Sequence, residues 1–329
     1  EGKIDVIYID PPYNTKNKDF KYNDTFVDYE DSYRHSKWLS FMNKRLRIAK
    51  QFLSDRGVIF ISIDDNENAQ LKLLCDEVFG QKNFISNIVW AAGKKNDSKH
   101  ISNSHEYIIC YFKNIDFVKE NKIVWRERKD GIDRIYKTAN NLVKKHSNNF
   151  ELATVDLKKW FKELANNDPA KAHSHYSIID EKGVFFPDNI SWPGGGGPKY
   201  DVLHPITNKP VAIPSRGWVY SSIERMQEII NDGKVFFGKD EKSVPTLKSY
   251  LKDREYQVPY SVLYQDGRAS TKRLMEMFGY SPFNNPKDEN IITKLLQTAS
   301  TPDSIILDFF AGSGTTLHAT MDLNSIDGG

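Results

Sequence analysis

At 329 residues, 39% hydrophobic and 27% charged, the chain is long enough for one large domain with an insertion or for two domains. No apolar run approaches the roughly 18 residues that a membrane span needs, so no spanning helix is expected, and a formal net charge of +2 does not by itself announce a nucleic-acid binder. The two cysteines, Cys75 and Cys110, sit in apolar segments without a CxxC pair and read as core thiols of a soluble protein in a reducing cytoplasm.

From the N-terminus, Ile4 to Ile9 is a β-branched, nearly continuous apolar run, which suits a strand covered on both faces in a parallel sheet. Past a polar loop, Trp38, Met42, Leu46, Ala49 and Leu53 recur at helical spacing, and Gly57 offers the stop. Val58 to Ile63 is the next strand. Asp64 and Asp65 are expected to cap a second helix, with Leu71, Leu74 and Val78 on one face and Gly80 at its end. Strand, helix, strand, helix is a βαβ pattern. Ile88 to Trp90 and Tyr107 to Phe112 read as two further strands; the segment AAGKKNDSKHISNSHE between them is too short and polar for a crossover helix and suits a long hairpin connection.

Periodicity weakens after Asn114. From there to about Phe185 the chain is mixed, basic and Asn-rich, with a helix expected around Leu157 to Leu164, and the loop SWPGGGGPKY follows. Between Lys94 and Lys145 thirteen Lys/Arg stand against seven acids, a local excess of +6 in a nearly neutral chain. Ser221 with Glu224 forms a capping-box pattern at the head of SSIERMQEIINDGK, and Gly233 lies where that helix should stop. Asp288 to Thr298 reads as a helix, TPDS as a turn and Ser304 to Phe310 as a buried strand, from which the glycine turn AGSG leads into the helix TTLHATMDLN. The closest histidines, His173 and His175, have no Cys or carboxylate at ligand spacing, so no metal site is expected.

Two strand ends carry chemistry, and open α/β sheets bind ligands at the carboxyl ends of their strands. In DFFAGSGTT, Gly312 and Gly314 permit a tight turn and close backbone approach, and the following helix presents free N–H groups to a polar ligand. A phosphate-binding P-loop would need lysine where Thr315 stands. In Asp10-Pro11-Pro12-Tyr13 the prolines could simply end a strand. The chemistry the four residues suit together is methylation of an exocyclic amine, whose lone pair is delocalised into its ring. The Asp10 carboxylate and the Pro11 carbonyl can accept its two N–H bonds, Pro12 stiffens the loop, and Tyr13 can stack on a base flipped out of the duplex.

DPPY followed near the far end by FxGSGTT resembles the β-class amino-methyltransferases of DNA, and the segments WLSFMNKRLRIAKQFLSDRGVIFISIDDNE, DEVFGQKNFI, HEYIICYFKN, RGWVYSSIERMQEIINDGKVFFGKD and FNNPKDENIITKLLQTASTPDSIILDFFAGSGTT are similar to the modification subunits of Type III restriction-modification systems. The likeness covers residues 4 to 113 and 185 to 325. It implies an α/β fold with a circularly permuted, Rossmann-like S-adenosylmethionine-dependent methyltransferase sheet: a catalytic half over 1–113, an inserted target-recognition module over 114–215 and a cofactor-binding half over 216–329. Position by position, Asp10, Pro11, Pro12 and Tyr13 match the catalytic motif. Asp308, Phe310, Ala311, Gly312, Ser313, Gly314 and Thr315 match the cofactor motif, and Asn285, Pro286 and Lys287 match the flanking motif that closes over the cofactor's methionine end. The family commonly has a second proline where Asp288 stands.

The implied activity is transfer of methyl from S-adenosylmethionine to adenine N6 in double-stranded DNA; aspartate at the first motif position favours adenine over cytosine N4, the alternative. A non-catalytic DNA-binding module is the rival from another class. The family setting implies a bacterial, cytoplasmic, nucleoid-associated protein, a homodimer with a restriction subunit as further partner. The chain opens at EGKIDVIYID inside a strand pattern, without a signal peptide, and closes at NSIDGG, so a fragment lacking some edge strands is expected.

Overall fold

The computed structural model describes residues 2–15, 33–91, 98–265, 268–283 and 285–329. In chain order the elements are β1 (Ile4–Ile9), α1 (Arg34–Phe52), β2 (Leu53–Ile63), α2 (Asn68–Phe79), β3 (Phe84–Ala91), β4 (His105–Phe112), α3 (Ile115–Glu120), β5 (Glu127–Arg128), α4 (Ile132–Lys145), α5 (Phe150–Glu163), β6 (Ile178–Asp180), β7 (Gly183–Asp188), α6 (Ile223–Asn231), β8 (Val235–Phe236), β9 (Thr246–Tyr250), β10 (Tyr256–Gln257), β11 (Val262–Tyr264), α7 (Arg268–Phe278), α8 (Glu289–Ala299), β12 (Ile306–Leu307) and α9 (Thr315–Asp327). Contacts divide them into two compact units, Glu1–Glu127 with Val258–Gly329, and Arg128–Gln257.

The first unit is built on a mixed sheet whose order among the described residues is β11-β3-β4-β2-β1-β12. β1 is parallel to both neighbours, β2 and β12, while β4 runs antiparallel to β2 and β3. Alternation along β1 sends Ile7 and Ile9 into one apolar layer and Val6 and Tyr8 into the other, so the strand is covered on both faces. The first layer is filled by Trp38, Met42, Leu46 and Ala49 of α1 and by Leu71, Leu74, Cys75 and Val78 of α2. The second is filled by Ile291, Ile292, Leu295 and Leu296 of α8 and by Ala319 and Leu323 of α9. This is a three-layer, Rossmann-like α/β arrangement. Among the described residues no side-chain cap bond closes the N-terminus of α1. Burial of its four apolar residues, at about 1.5–3 kcal/mol for each large side chain, is what holds it in place.

Asp5 braces one end of the sheet. Its Oδ1 accepts from Ser54 Oγ at 2.9 Å and Arg56 Nε at 2.7 Å, and its Oδ2 from the Ile305 N–H at 3.2 Å, so one buried carboxylate ties the starts of β1, β2 and β12. Burial alone would raise its pKa, but these bonds outweigh burial and hold it below the usual carboxylate value.

The second unit has its own antiparallel sheet, β6-β7-β9-β8, and two apolar clusters. One gathers Ile132, Ile135 and Ala139 of α4 with Ala153, Leu157 and Phe161 of α5, and the other surrounds Trp218 with Met226 and Ile229 of α6. β5 and β10 form a two-stranded ladder.

Most expected elements form, with instructive differences. The β3–β4 hairpin is antiparallel as expected, and Gly80 ends α2 with φ 92°. The polar loop before α1 falls at residues 16–32, and part of the β3–β4 connection at 92–97, outside the described residues. Gly57 does not stop α1, which ends at Phe52 and passes directly into β2. It lies where the register breaks, Ile4 facing Leu53 while Val6 faces Val58. Asp64 and Asp65 do not cap α2; Asp64 Oδ1 accepts from Asn66 N at 2.9 Å, closing the turn that precedes the helix. Ser222, not Ser221, caps α6, accepting from Arg225 N at 3.3 Å. The strand expected over Ser304 to Phe310 shrinks to Ile306–Leu307 and is only half-buried, because among the described residues β12 has a neighbour on one side alone.

The second unit also begins and ends later than the 114–215 segment expected for an insertion. Ile115, Val118 and Trp125 pack into the first unit's sheet, whereas β8 and β9 extend the ladder of β7. The weakly periodic stretch after Asn114 hid α4, in which only Ile132, Ile135 and Ala139 are fully buried, with Tyr136, Leu142 and Val143 packing partly exposed beside them.

A Cβ on Gly57 would stand 2.8 Å from Ser54 O, 2.9 Å from Leu53 Cδ2 and 3.0 Å from Ile4 O. Gly57→Ala is therefore expected to destabilise the first unit by about 1–3 kcal/mol, read as a lower urea midpoint at unchanged slope; an unchanged midpoint would mean that the register break does not need glycine.

Candidate active site

β1 and β12 are adjacent and parallel, with Val6 opposite Ile306 and Ile7 opposite Leu307. The chain leaving β1 returns through α1 in one apolar layer, and the chain leaving β12 enters α9 in the other. Connections that part on opposite faces open a crevice at the strands' carboxyl ends. Into that crevice the two strands deliver Asp10 to Tyr13 and Asp308 to Thr315.

The Asp10-Pro11-Pro12-Tyr13 loop is anchored from α1, where Trp38 Nε1 donates to the Pro12 carbonyl at 2.7 Å. Its other end is held by Asn14, whose backbone has φ 57° and whose Nδ2 donates to Glu67 Oε1 at 2.5 Å. The same Glu67 oxygen meets His35 Nδ1 at 2.7 Å. No backbone N–H of the described residues donates to the Pro11 carbonyl.

The DFFAGSG turn is held by Asp308. Its Oδ1 accepts from the Phe310 N–H at 2.9 Å and its Oδ2 from Thr316 Oγ1 at 2.6 Å, joining the strand end to the turn and to the first turn of α9. Burial raises the pKa of this carboxyl, and the two bonds act against the rise. Gly314 N donates to Ala311 O at 2.7 Å, and Gly312 and Gly314 have φ of 52° and 77°. A Cβ on Gly314 would meet nothing within 4 Å, so the turn fronts open space. Phe310 packs with Phe41 of α1, ring centroids 6.0 Å apart.

The third segment, Asn285 to Lys287, precedes α8. Asn285 is exposed with φ 52°, and Pro286 is buried, its carbonyl accepting from Ser270 Oγ at 2.9 Å. Lys287 links the halves. Thr315 Oγ1 lies 3.5 Å from its carbonyl oxygen, and Pro286, Lys287, Ser313, Gly314 and Thr315 line one cavity of about 550 Å³. Asp308, Ala311 and Gly314 also line a second cavity of about 400 Å³. The Lys287 side chain, however, turns to the catalytic motif: Nζ is 2.6 Å from Tyr13 Oη, 2.5 Å from Glu106 Oε2 and 3.4 Å from Asp10 Oδ1. Asp288, where a proline is common in the family, caps α8 by accepting from Asn290 N at 3.0 Å, and it pairs with Arg273 at 2.6 Å.

Electrostatics follow from this packing. Burial raises the pKa of Asp10 from its ordinary value, with the Lys287 ammonium pulling it down and Glu106 pushing it up. Burial would lower Lys287, but Asp10 and Glu106 together raise it, so it is held as a cation. Tyr13 is buried and pushed well up by burial and then by Asp10 and Glu106, and the Lys287 ammonium stands 4.7 Å over its ring.

Asp10, Tyr13, Lys287 and Thr315 are thus gathered at one place, and Asn285 is exposed. Glu106 and Trp38 were missed in the sequence. Glu106 is the second residue of β4 and precedes the strand expected from Tyr107; it reaches the crevice because β4 runs antiparallel to β2, with Tyr107 opposite Ile63, a pairing not among those expected from the sequence. Trp38 carried no signal beyond its helical spacing.

The model of a DNA methylase family matches residues 4–326. The chain is 35% identical over 351 residues to the Type III restriction-modification enzyme EcoP15I Mod subunit of Escherichia coli, covering 98% of this chain and 53% of that protein. It is 33% identical over 354 residues to the StyLTI Mod subunit of Salmonella typhimurium, covering 99% and 47%, and 32% identical over 340 residues to the Type II methyltransferase M.KpnI of Klebsiella pneumoniae, covering 99% and 73%. The chain spans about half the length of the two Mod subunits.

Asp308→Ala would leave the buried Thr316 hydroxyl and the Phe310 N–H without their partner. It is expected to cost about 1–3 kcal/mol, against about 1 kcal/mol for Thr316→Val, in urea unfolding followed by circular dichroism. An Asp308→Ala midpoint equal to that of the unmodified protein would mean that Asp308 does not hold the turn.

Proposed function

Because the chain belongs to the DNA methylase family, we propose that it carries the catalytic part of a DNA adenine-N6 methyltransferase that uses S-adenosylmethionine and acts on an adenine flipped from duplex DNA. The observation that supports this most is the meeting of the Asp10 loop and the Asp308–Thr315 turn at the ends of two adjacent parallel strands. An exocyclic amine is a poor nucleophile. Accepting its two N–H bonds on the Asp10 carboxylate and the Pro11 carbonyl localises its lone pair, and both acceptors are fixed before the base arrives. When bound, S-adenosylmethionine supplies the electrophilic methyl group.

The fit to that cofactor rests on the open space in front of Gly314 and on a shared cavity that takes in Pro286, Lys287 and the turn from Ser313 to Thr315. Ala311, Gly312, Ser313 and Gly314 would bring backbone close to it, with Asp308 and Phe310 holding the turn and Asn285 to Lys287 closing its other side. Tyr13 would meet a base only through the ring face opposite Lys287. Aspartate at the first motif position favours adenine over cytosine.

Target recognition we assign to the unit Arg128–Gln257. Part of the basic excess is spent inside it, Arg128 on Asp133 and Glu255, Arg134 on Asp168 and Lys145 on Asp156. DNA contact then falls to other cations. Likeness to Mod subunits supports a modification role beside a restriction subunit, as a homodimer in the bacterial cytoplasm at the nucleoid. No helix among the described residues is long and apolar enough to cross a membrane.

Full-length protein given labelled S-adenosylmethionine and duplex DNA should yield N6-methyladenine. Asp10→Ala should lower transfer by about 10²–10³-fold or more while DNA binding is kept; transfer at the unmodified rate would overturn the mechanism. Binding should also weaken linearly on a log–log plot against salt, losing about 10³-fold or more between 50 and 200 mM if six or more phosphates are contacted; a flat dependence would remove DNA as the substrate.

A further inference from the structure

Lys287 was expected to face the cofactor, yet its ammonium, 12% exposed, lies between two carboxylates. Glu106 Oε2 is the closer partner at 2.5 Å, and Asp10 Oδ1 is met at 3.4 Å without hydrogen-bond alignment. Two acids and one cation leave a net negative charge, and Asp10, whose side chain is one-third exposed, keeps a buried Oδ1 that no hydrogen bond from the described residues satisfies. A buried ammonium is stable only when paired, and a carboxylate drawn fully onto it would be a weaker acceptor for anything else.

We propose that Lys287 and Glu106 are positioning residues that act on Asp10 in opposite senses: Lys287 keeps its carboxylate ionised and in place, and Glu106 draws the ammonium away so that Asp10 stays free to accept the target amine. The part played by Asp10 rests on the methyltransferase reading; the electrostatic opposition does not. Lys287 also carries the connection to the cofactor turn through its carbonyl beside Thr315. One residue therefore touches the donor side with its backbone and the acceptor side with its side chain.

Among the described residues, the groups facing Asp10 are Lys287 before α8, Glu106 of β4, Tyr13 of the loop and Tyr8 of β1. Tyr8 and Tyr13 stay neutral, their pKa values pushed well up by burial and then by Asp10. Burial raises Asp64 and Asp308 as well. Among the described residues, Lys287 is the cation that acts on Asp10.

The test is a pH titration of full-length protein carrying ¹³C-carboxyl aspartate, with the Asp10 signal assigned by its loss in Asp10→Asn. Lys287→Met should raise the Asp10 midpoint by about one to three pH units, and Glu106→Gln should lower it. The acid limb of kcat against pH should move the same way in each variant, with KM for DNA changing less. Lys287→Arg and Glu106→Asp should stay near the unmodified midpoint. Displacement in one common direction, no displacement, or equal displacement in the charge-conserving variants would overturn the proposal. Should Lys287→Met fail to fold, Glu106→Gln decides alone, a lowered midpoint supporting and an unchanged or raised one overturning it. Opposite displacements in a protein that transfers no methyl group would uphold the electrostatic pair and overturn the reading of the reaction.

Discussion

The parallel pairing of β1 with β12 is the interaction on which the rest of the site depends. It is short, since β12 contributes only Ile306 and Leu307, yet it sets side by side two strands from near opposite ends of the sequence. Each strand then hands its loop to a different apolar layer, and the crevice follows from that divergence. Asp5 secures the far end of the same pair by bonding to Ser54, Arg56 and the Ile305 N–H. Were this ladder to slip, Asp10 and Asp308 would remain in the chain but would no longer share a crevice.

A second constraint comes from placing acids at buried strand ends. Each carboxylate there loses water and must recover the interaction from its neighbours. Asp308 does so with neutral donors, Thr316 and the Phe310 N–H, and becomes a clamp for the turn. Asp10 is treated differently. Its neighbour is a cation held more closely by Glu106, and its Oδ1, though buried, is left without a hydrogen-bond partner among the described residues. Two aspartates that look alike in sequence, each ending a strand, thus take different roles through what their surroundings donate.

How much of this was legible in the sequence depends on the range of the cause. β1 was readable because burial on both faces demands an unbroken apolar run, and Gly80 because a helix ending in left-handed backbone wants glycine. Gly57 was misread because local pattern cannot distinguish a helix stop from a register break imposed by the neighbouring strand. Ser221 and Ser222 offer the same hydroxyl, and only the helix's exact start separates them. Asp288 looked like a departure from its family and proves to be the cap of α8 and the partner of Arg273. Lys287 carried a motif label that spoke of the cofactor; its length and flexibility let the ammonium reach the other half of the site, which no spacing rule could reveal.

The central claim is that Asp10 accepts the amine of the target base beside the cofactor turn. The most direct measurement is a crystal structure of the full-length protein with duplex DNA and an unreactive S-adenosylmethionine analogue. The account predicts a flipped adenine whose N6 lies at hydrogen-bond distance, about 2.7–3.2 Å, from both an Asp10 carboxylate oxygen and the Pro11 carbonyl, with the analogue against Ala311 to Gly314. An amine bonded elsewhere, or an analogue seated away from that turn, would contradict it.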